Sequence, residues 1–156
     1  SKILASAEDV KGRTKDENQS ISPILPVETV YNLGQEIWKV YIANEERPVL
    51  QVNNLFPNII DRLSSDHVFQ ALIIPQAVRQ CLIHLINNDT ADPSDPTAWQ
   101  NKWTLFLKAI GFDTKPDAED EIGVQTQWLD AVLIKFTNSI ELMSQATRQL
   151  DRRSGD

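Results

Sequence analysis

The sequence predicts an all-α fold, an irregular helical bundle or orthogonal array of five or six helices with a long C-terminal helix. Apolar residues recur every three or four positions along most of the chain, which is the period of a helix face. Prolines and stretches rich in Asp and Asn separate these segments and are typical of helix boundaries. Only residues 49–52 resemble a strand, and a single strand would have no partner for a sheet.

The first predicted helix begins at Pro26, because proline fits the first turn of a helix, where its missing N–H has no partner to lose. It is predicted to end before Pro48, since the residue ahead of a proline is disfavoured in the helical region. Residues 49–52 are predicted to form an extended connection. The apolar residues of this first helix are Val27, Val30, Tyr31, Ile37, Trp38 and Tyr41.

Three proline or cap signals organise the middle of the chain. Pro57 can open a short helix, and Asp66 supplies a cap oxygen for the next one. Pro75 is predicted either to kink that helix or to begin a new one. The apolar stripe that follows is Val78, Cys81, Leu82, Leu85 and Ile86.

Residues 89–96 contain three aspartates and two prolines, which indicates a loop. Asp95 and Pro96 are predicted as the cap and first residue of a helix that stops at Gly111. Trp103 lies in the centre of its apolar face and is predicted to be buried. A second acidic linker follows at residues 113–121.

The C-terminal segment carries apolar or near-apolar residues at alternating spacings of four and three, from Ile122 to Leu150. This heptad pattern predicts one long helix whose seam needs a partner helix. Trp128 and Val132 widen the first half, which is predicted to face the core. Beyond Ile140 the flanking residues are polar, which favours a contact with another protein or with a second copy. The predicted partner-binding residues are Ile140, Met143, Thr147 and Leu150.

These patterns divide the chain into three parts. Residues 1–22 are predicted to form a flexible N-terminal arm, because residues 8–22 are polar and lack periodic apolar positions. Residues 23–153 are predicted to form a single helical domain, and residues 154–156 a disordered tail.

The net charge is −7, from 15 basic and 22 acidic residues, so the field of the whole chain repels phosphate backbones. Nucleic-acid binding would therefore need a local basic patch. The candidate contacts are Arg148, Arg152 and Arg153 at the C-terminal end, together with the basic N-terminal arm.

Cellular location is inferred from three features. The single cysteine, Cys81, excludes an internal disulfide and suggests a reduced thiol. No apolar run approaches the ~20 residues of a membrane helix, and the first residues lack the pattern of a signal peptide. The sequence therefore predicts a cytoplasmic protein.

The patterns for catalysis and metal binding are incomplete. Cys81 and His84 lie three positions apart on a predicted helix, but zinc needs three or four converging ligands, and the chain has only two histidines. Asp66 and His67 are adjacent, and adjacent helix residues do not face each other. The single glycines form no phosphate-binding loop. We therefore expect no metal, no cofactor and no enzymatic activity.

The function predicted from the sequence is a non-catalytic helical protein–protein interaction module, one domain of a larger intracellular protein or assembly. Its partner would be another protein or a second copy, bound through the C-terminal helix, without a membrane. The alternative is an accessory helical domain of a nucleic-acid-handling system, which would use the basic arm and the C-terminal arginines.

Overall fold

The fold is mixed α/β, so the prediction of an all-α bundle is wrong. The computed structural model describes residues 24–43 and 46–155, and the predicted arm at residues 1–22 lies outside them. Within the described ranges there are three strands and five helices. In chain order they are β1 (Val27–Val30), β2 (Trp38–Tyr41), β3 (Val49–Asn53), α1 (Ile59–Ser65), α2 (His67–Asn87), α3 (Trp99–Ala109), α4 (Ile122–Ser139) and α5 (Leu142–Gly155).

The segment predicted as the first helix forms two strands, and the predicted extended connection is the central strand of a sheet. The strand order is β1-β3-β2. β1 runs parallel to β3, with Val27 opposite Leu50, and β2 runs antiparallel to it, with Val40 opposite the same residue. Leu50 and Val52 are fully buried. Residues 49–52 therefore do have strand partners, β1 and β2. The sequence interpretation lacked them because it assigned residues 27–41 to a helix.

The turn between β1 and β2 explains why the helical period was misleading. Apolar spacings of three and four also arise when two short strands are separated by a turn. Gly34 has a φ of 63°, a left-handed conformation that glycine adopts without steric cost. The buried Asn53 side chain donates from Nδ2 to the carbonyl oxygens of Gly34 (3.1 Å) and Glu36 (2.9 Å). The end of β3 therefore holds this turn in place.

α2 is the central helix of the core. It runs without interruption through Pro75, and it contacts α1, α4, α5 and β2. Its fully buried residues include Ile74, Val78 and Leu82. By length and composition alone α2 could cross a membrane, but 56% of its most apolar window is buried inside this fold. A core helix passes the same test, so this is weak evidence for a membrane span.

Of the two predicted helix caps, Asp66 and Asp95, only Asp66 caps its helix. Asp66 caps α2 as predicted, since its Oδ1 accepts from the N–H groups of Val68 (3.1 Å) and Phe69 (3.2 Å). Asp95 does not cap α3, which begins at Trp99. Its Oδ1 instead accepts from the backbone N–H (2.9 Å) and hydroxyl (2.7 Å) of Thr97. The predicted start of this helix was therefore three residues too early.

The predicted long C-terminal helix is two helices. α4 ends at Ser139 and α5 begins at Leu142, with Glu141 in the left-handed region at a φ of 53°. The hydroxyl groups of Thr137 and Ser139 donate to carbonyls of the preceding turn, those of Leu133 (2.7 Å) and Phe136 (2.6 Å). Such bonds compete with helical hydrogen bonds and weaken a helix. α5 itself includes residues 154 and 155, which were predicted to lie in the tail.

Trp103 is fully buried, as predicted. Its ring meets Phe106 edge-on at 5.7 Å, and Phe106 meets Phe136 of α4 in the same way at 5.4 Å. The other three tryptophans are partly buried and pack against the core. The aromatic cluster therefore joins α3 to α4.

Replacing Trp103 with alanine should lower the free energy of unfolding by about 3–5 kcal/mol, because it leaves a large cavity beside Phe106. Urea denaturation measures this change. Leu105→Ala on the same helix is the control, since Leu105 is exposed and its truncation should change the free energy by about 0.5 kcal/mol or less. Equal losses for the two variants would contradict the burial of Trp103.

Candidate functional site

The exposed side of α5 carries three of the four predicted partner-binding residues. Met143, Thr147 and Leu150 are spaced by four and three residues and so lie on one helix face. The side chains of Met143 and Leu150 are 77% and 49% exposed. Ile140 lies in the turn before α5 and packs against the core. The structure therefore separates Ile140 from the other three.

The opposite side of α5 explains why the Met143–Leu150 face is free. Leu142, Ala146 and Gln149 are buried and lie against α2, the helix that α5 contacts most. A helix can cover only part of its circumference against one neighbour. The burial of this face therefore leaves Met143 and Leu150 in solvent.

A polar anchor fixes the C-terminal half of α5 to the start of α2. The Gln149 side chain donates from Nε2 to Asp66 Oδ1 (2.8 Å) and accepts at Oε1 from the His67 N–H (2.7 Å). Arg153 Nη2 lies 3.7 Å from Asp66 Oδ2. One carboxylate thus caps α2 and holds α5.

The environment of Asp66 favours its charged form. Burial raises the pKa of Asp66, but hydrogen bonds from Gln149, Phe69 and Val68 and the charge of Arg153 outweigh it. The pKa of Asp66 therefore lies below its ordinary value of 3.8. The anchor is ionised at neutral pH.

A groove of about 530 Å³ opens between α2, α4 and the beginning of α5. Its walls include an ion pair between Arg79 and Asp130, with 2.6 Å between Nη2 and Oδ1. The remaining lining is largely apolar. The other lining residues are Ala71, Pro75, Gln76, Leu133, Ile134, Thr137, Leu142 and Met143.

Further exposed apolar side chains lie in this groove or on the helix faces that line it. Ile134 of α4 is 62% exposed and lines it. Leu72 of α2 is 69% exposed and lies three residues before Pro75 and four before Gln76, so it shares their helix face. Leu150 lies seven residues after Met143 and so continues the same face of α5 away from the groove. We call the groove, together with Leu72, Ile134, Met143 and Leu150, the groove surface.

Two members of the groove surface were not among the predicted partner-binding residues. Ile134 is an apolar residue outside the heptad seam of α4, which passes through Leu133 and Phe136. Leu72 is an apolar residue on the outer side of a helix that is apolar nearly all round. Each is an apolar residue outside the buried face of its helix. Such a residue indicates a binding surface only when the packing of the helix is known.

The arginines predicted to contact nucleic acid are exposed, but nearby carboxylates partly neutralise their charge. Arg153 lies near Asp66, and Arg148 Nη2 lies 3.8 Å from Glu141 Oε1. Arg148, Arg152 and Arg153 all belong to α5. Two of these three cations therefore already have a carboxylate within 4 Å.

The residues considered for catalysis are held in structural contacts. Cys81 is fully buried, and burial raises the pKa of its thiol to about 12. Because the thiolate is the nucleophilic form, this thiol is inert at neutral pH. Within the described ranges, no group of three His, Cys, Asp or Glu residues is placed to hold a metal ion.

The two histidines lie at opposite ends of α2. The ring of His84 stacks on Trp99, with 4.8 Å between ring centroids, and its Nδ1 lies 2.9 Å from Asn88 Nδ2. His67 Nδ1 lies 3.3 Å from Gln70 Oε1. The Trp99 contact joins α2 to α3, whereas the other two contacts lie within α2 and at its C-terminal cap.

Two other cavities are open to solvent. One, of about 600 Å³, lies beside β2 and is lined by residues 35–40 and Gln80. The other, of about 270 Å³, contains the ion pair between Lys115 and Asp89. Neither lining contains a histidine or a cysteine.

No family model matches this chain, no curated protein is significantly similar to it, and no solved structure is significantly similar to its fold. The functional interpretation therefore depends on the geometry of the molecule. The groove surface is the candidate site, because it combines a groove with exposed apolar side chains.

Asp66→Ala should lower the free energy of unfolding by about 1–2 kcal/mol at neutral pH, because α2 loses its cap. The folded-state pKa of Asp66 lies below 3.8, so the stabilisation from its charge is present above that value and is lost as the pH falls through the folded-state pKa. Urea denaturation at about pH 7 and about pH 3 should thus give a larger difference at the higher pH. Asp113→Ala, at an exposed linker position, is the control. A difference that is equal at both pH values would show that the charge of Asp66 contributes nothing.

Cys81 should react very slowly with a disulfide reagent such as DTNB in the native protein and rapidly in concentrated guanidinium chloride. The native thiol is both buried and protonated, whereas the unfolded thiol has an ordinary pKa near 8.5. A Leu105→Cys variant, with a second thiol at an exposed position, should react with one equivalent at once. Fast native reaction of Cys81 in the wild type would contradict its burial.

Proposed function

We propose that this domain is a non-catalytic protein–protein interaction module that binds a helix of another protein at the groove surface. The observation that carries the proposal is a set of four exposed apolar side chains on three helices, two of which line the groove while the other two continue the helix faces that line it. The four residues are Leu72, Ile134, Met143 and Leu150. Contiguous exposed apolar surface of this kind is typical of an interaction site.

The shape of the groove surface favours a helical partner. An amphipathic helix presents apolar side chains at positions i, i+3, i+4 and i+7, and such a row fits a groove between helices. Met143 supports this interpretation, because its flexible thioether side chain adapts to varied apolar partners.

The rigidity of the surroundings also supports binding. The walls of the groove belong to α2 and α4, whose opposite faces form the core, and α5 is anchored through Gln149 and Asp66. A surface that is already ordered loses little conformational entropy when a partner binds. The chemistry of Cys81, His67 and His84 gives no comparable support for catalysis.

The alternative, an accessory role in nucleic-acid handling, has less support. Arg148 and Arg153 have carboxylates nearby, and the chain as a whole carries a charge of −7. Nucleic-acid binding depends mainly on free cations that neutralise phosphates.

A photo-crosslinking amino acid at position 143 should capture a partner in the native cell, whereas the same group at position 122 should not. Ile122 is the matched control because it is as exposed as Met143, at 75%, and lies at the far end of α4. The double substitution Ile134→Asp and Leu150→Asp should abolish the adduct at position 143, because it places charge in the apolar contact. The control pair Leu105→Asp and Val124→Asp adds the same charge at exposed positions elsewhere and should leave the adduct intact.

The crosslinked species identifies the occupant. Adducts that survive the Ile134→Asp and Leu150→Asp substitutions, or that form equally at position 122, would contradict the proposal. An adduct made only of two copies of this chain would show that the groove surface binds a second copy and not a helix of another protein.

A further inference from the structure

We infer that the outer edge of β1 binds an extended segment of another protein as a fourth strand of the sheet, with a basic side chain opposite Glu28. This edge belongs to a different part of the fold from the groove surface, and the inference does not depend on the proposed function. It rests on the hydrogen-bond register of the sheet and on the side chains that the register places at its two edges.

The register shows which backbone groups of β1 face away from the sheet. Asn54 N–H donates to Val30 O (2.9 Å) across the parallel β1–β3 ladder. Alternate residues of a strand bond to the same neighbour, so Glu28 also faces β3. Val27 and Thr29 direct their N–H and C=O groups to the other side. Within residues 24–43 and 46–155, β1 is the outer strand of the sheet and no backbone group bonds to Val27 or Thr29.

The edge of β1 is open to solvent. Thr29 is exposed, and β1 packs mainly on β3. At the end of the strand, Tyr31 is 68% exposed, and its hydroxyl oxygen accepts from Asn54 Nδ2 (2.5 Å). An exposed aromatic ring is thus held at one end of a row of outward backbone groups. This combination offers both hydrogen bonds and apolar contact to an added strand.

The other edge of the sheet, at β2, is less accessible. Asn53 N–H donates to Ile37 O (2.8 Å), so the outward residues of β2 are Trp38 and Val40. Val40 is only 7% exposed, and Trp38 packs against the core. The cavity beside this strand is walled by Gln80 of α2. A strand added at β2 would therefore have to fit between the sheet and a helix.

The charge at the centre of β1 selects the partner. Because Glu28 bonds toward β3, it occupies a non-hydrogen-bonded position toward an added antiparallel strand, where opposite side chains approach most closely. Its carboxylate is exposed and accepts from a neutral amide, Gln51 Nε2 (2.8 Å). Lys39 lies on the far side of Gln51 in the register, two strand spacings or about 10 Å away. A lysine or arginine opposite Glu28 would thus pair with its charge.

A second copy of this chain fits the edge less well. An antiparallel pair of β1 strands that bonds Val27 to Thr29 of the other copy is centred on Glu28. The two Glu28 carboxylates would then lie directly opposite each other, which destabilises a strand pair. Pairing β1 with β2 of another copy would need the edge at which Val40 is buried. An extended segment with a basic residue between β-branched ones meets neither conflict.

Two extended peptides test the inference with the intact chain. Each has about seven residues, mostly valine and threonine, and carries either lysine or glutamate at its centre. Amide hydrogen exchange followed by NMR reports which edge is occupied. Saturating lysine peptide should slow exchange of the Val27 and Thr29 amides by at least about tenfold, because these N–H groups become hydrogen-bonded. The outward Val40 amide of the other edge is the control and should not change.

Fluorescence anisotropy measures the dissociation constants of both peptides. At about 50 mM salt the lysine peptide should bind at least about threefold more tightly than the glutamate peptide, because opposite charges attract across a strand pair and like charges repel. N-methylation of the two peptide residues that face Val27 and Thr29 should weaken binding by at least about tenfold, since it removes the N–H groups that β1 would bind. N-methylation of the central residue, whose N–H points away from β1, is the matched control.

Variants at the two edges separate the charge contribution from the apolar contribution. E28Q should remove the preference for the lysine peptide while leaving both peptides bound, whereas K39Q, on the other side of Gln51, should preserve it. Tyr31→Ser should weaken both peptides by about twofold or more, because an aromatic contact is lost. Tyr41→Ser, at the end of the other edge strand, should change neither.

Four outcomes would overturn the inference. Unchanged exchange at Val27 and Thr29 with saturating peptide would show that β1 adds no strand, and equal binding of the two peptides would remove the basic partner. Amides of Val27 and Thr29 that already exchange slowly in the free chain would show that the edge is covered by the chain itself or by a second copy. Peptide binding that M143Q/L150Q abolishes would place the peptide at the groove surface.

Discussion

The packing of α2 against the sheet and three other helices is the constraint on which the rest of the structure depends. The sheet covers one side of α2 through β2, and α1, α4 and α5 cover the others. The polar side chains on the buried side of such a helix need hydrogen-bond partners within the protein. Gln70 meets this need by donating to the carbonyl oxygens of Leu63 (3.0 Å) and Ser64 (3.1 Å) at the end of α1. Because an unpaired buried amide costs free energy, this contact also fixes the angle at which α1 meets α2.

The same constraint produces the candidate binding surface. α5 packs on α2 through small or apolar residues and through Gln149, whose amide is bonded at both its oxygen and its nitrogen. These contacts bury one narrow face of α5 and leave the neighbouring face, with Met143 and Leu150, without a partner in this chain's described structure. Since α4 stops at Ser139, α5 is free to take a direction of its own, and the groove lies where the two helices part. The apolar surface is therefore a consequence of the helix break.

The features of the fold that the sequence predicted correctly are local ones. The cap at Asp66, the buried face around Trp103 and the exposed positions Met143, Thr147 and Leu150 could be predicted, because each depends on residues within two helical turns. The sheet could not, since β1 and β2 have four residues each and the pairing of Val27 with Leu50 joins distant segments. The heptad pattern continued across Ile140 and Glu141 although the helix did not. Exposure of the Met143 face was thus predicted from a premise, one unbroken helix, that proved wrong.

The anchor of α5 connects stability to binding. Asp66 caps α2 and accepts from Gln149 through the same oxygen, Oδ1, so loss of this carboxylate weakens the start of the central helix and releases the C-terminal half of α5 together. Met143 is near the groove and Leu150 is near the anchor, and a partner helix that spans both needs α5 held in one position. The N-terminal half of α5 is held by the buried side chains of Leu142 and Ala146, whereas its C-terminal half is held by the polar contacts of Gln149 and Arg153 with the start of α2. The anchor therefore ties the orientation of the Leu150 end of α5 to the cap of the central helix.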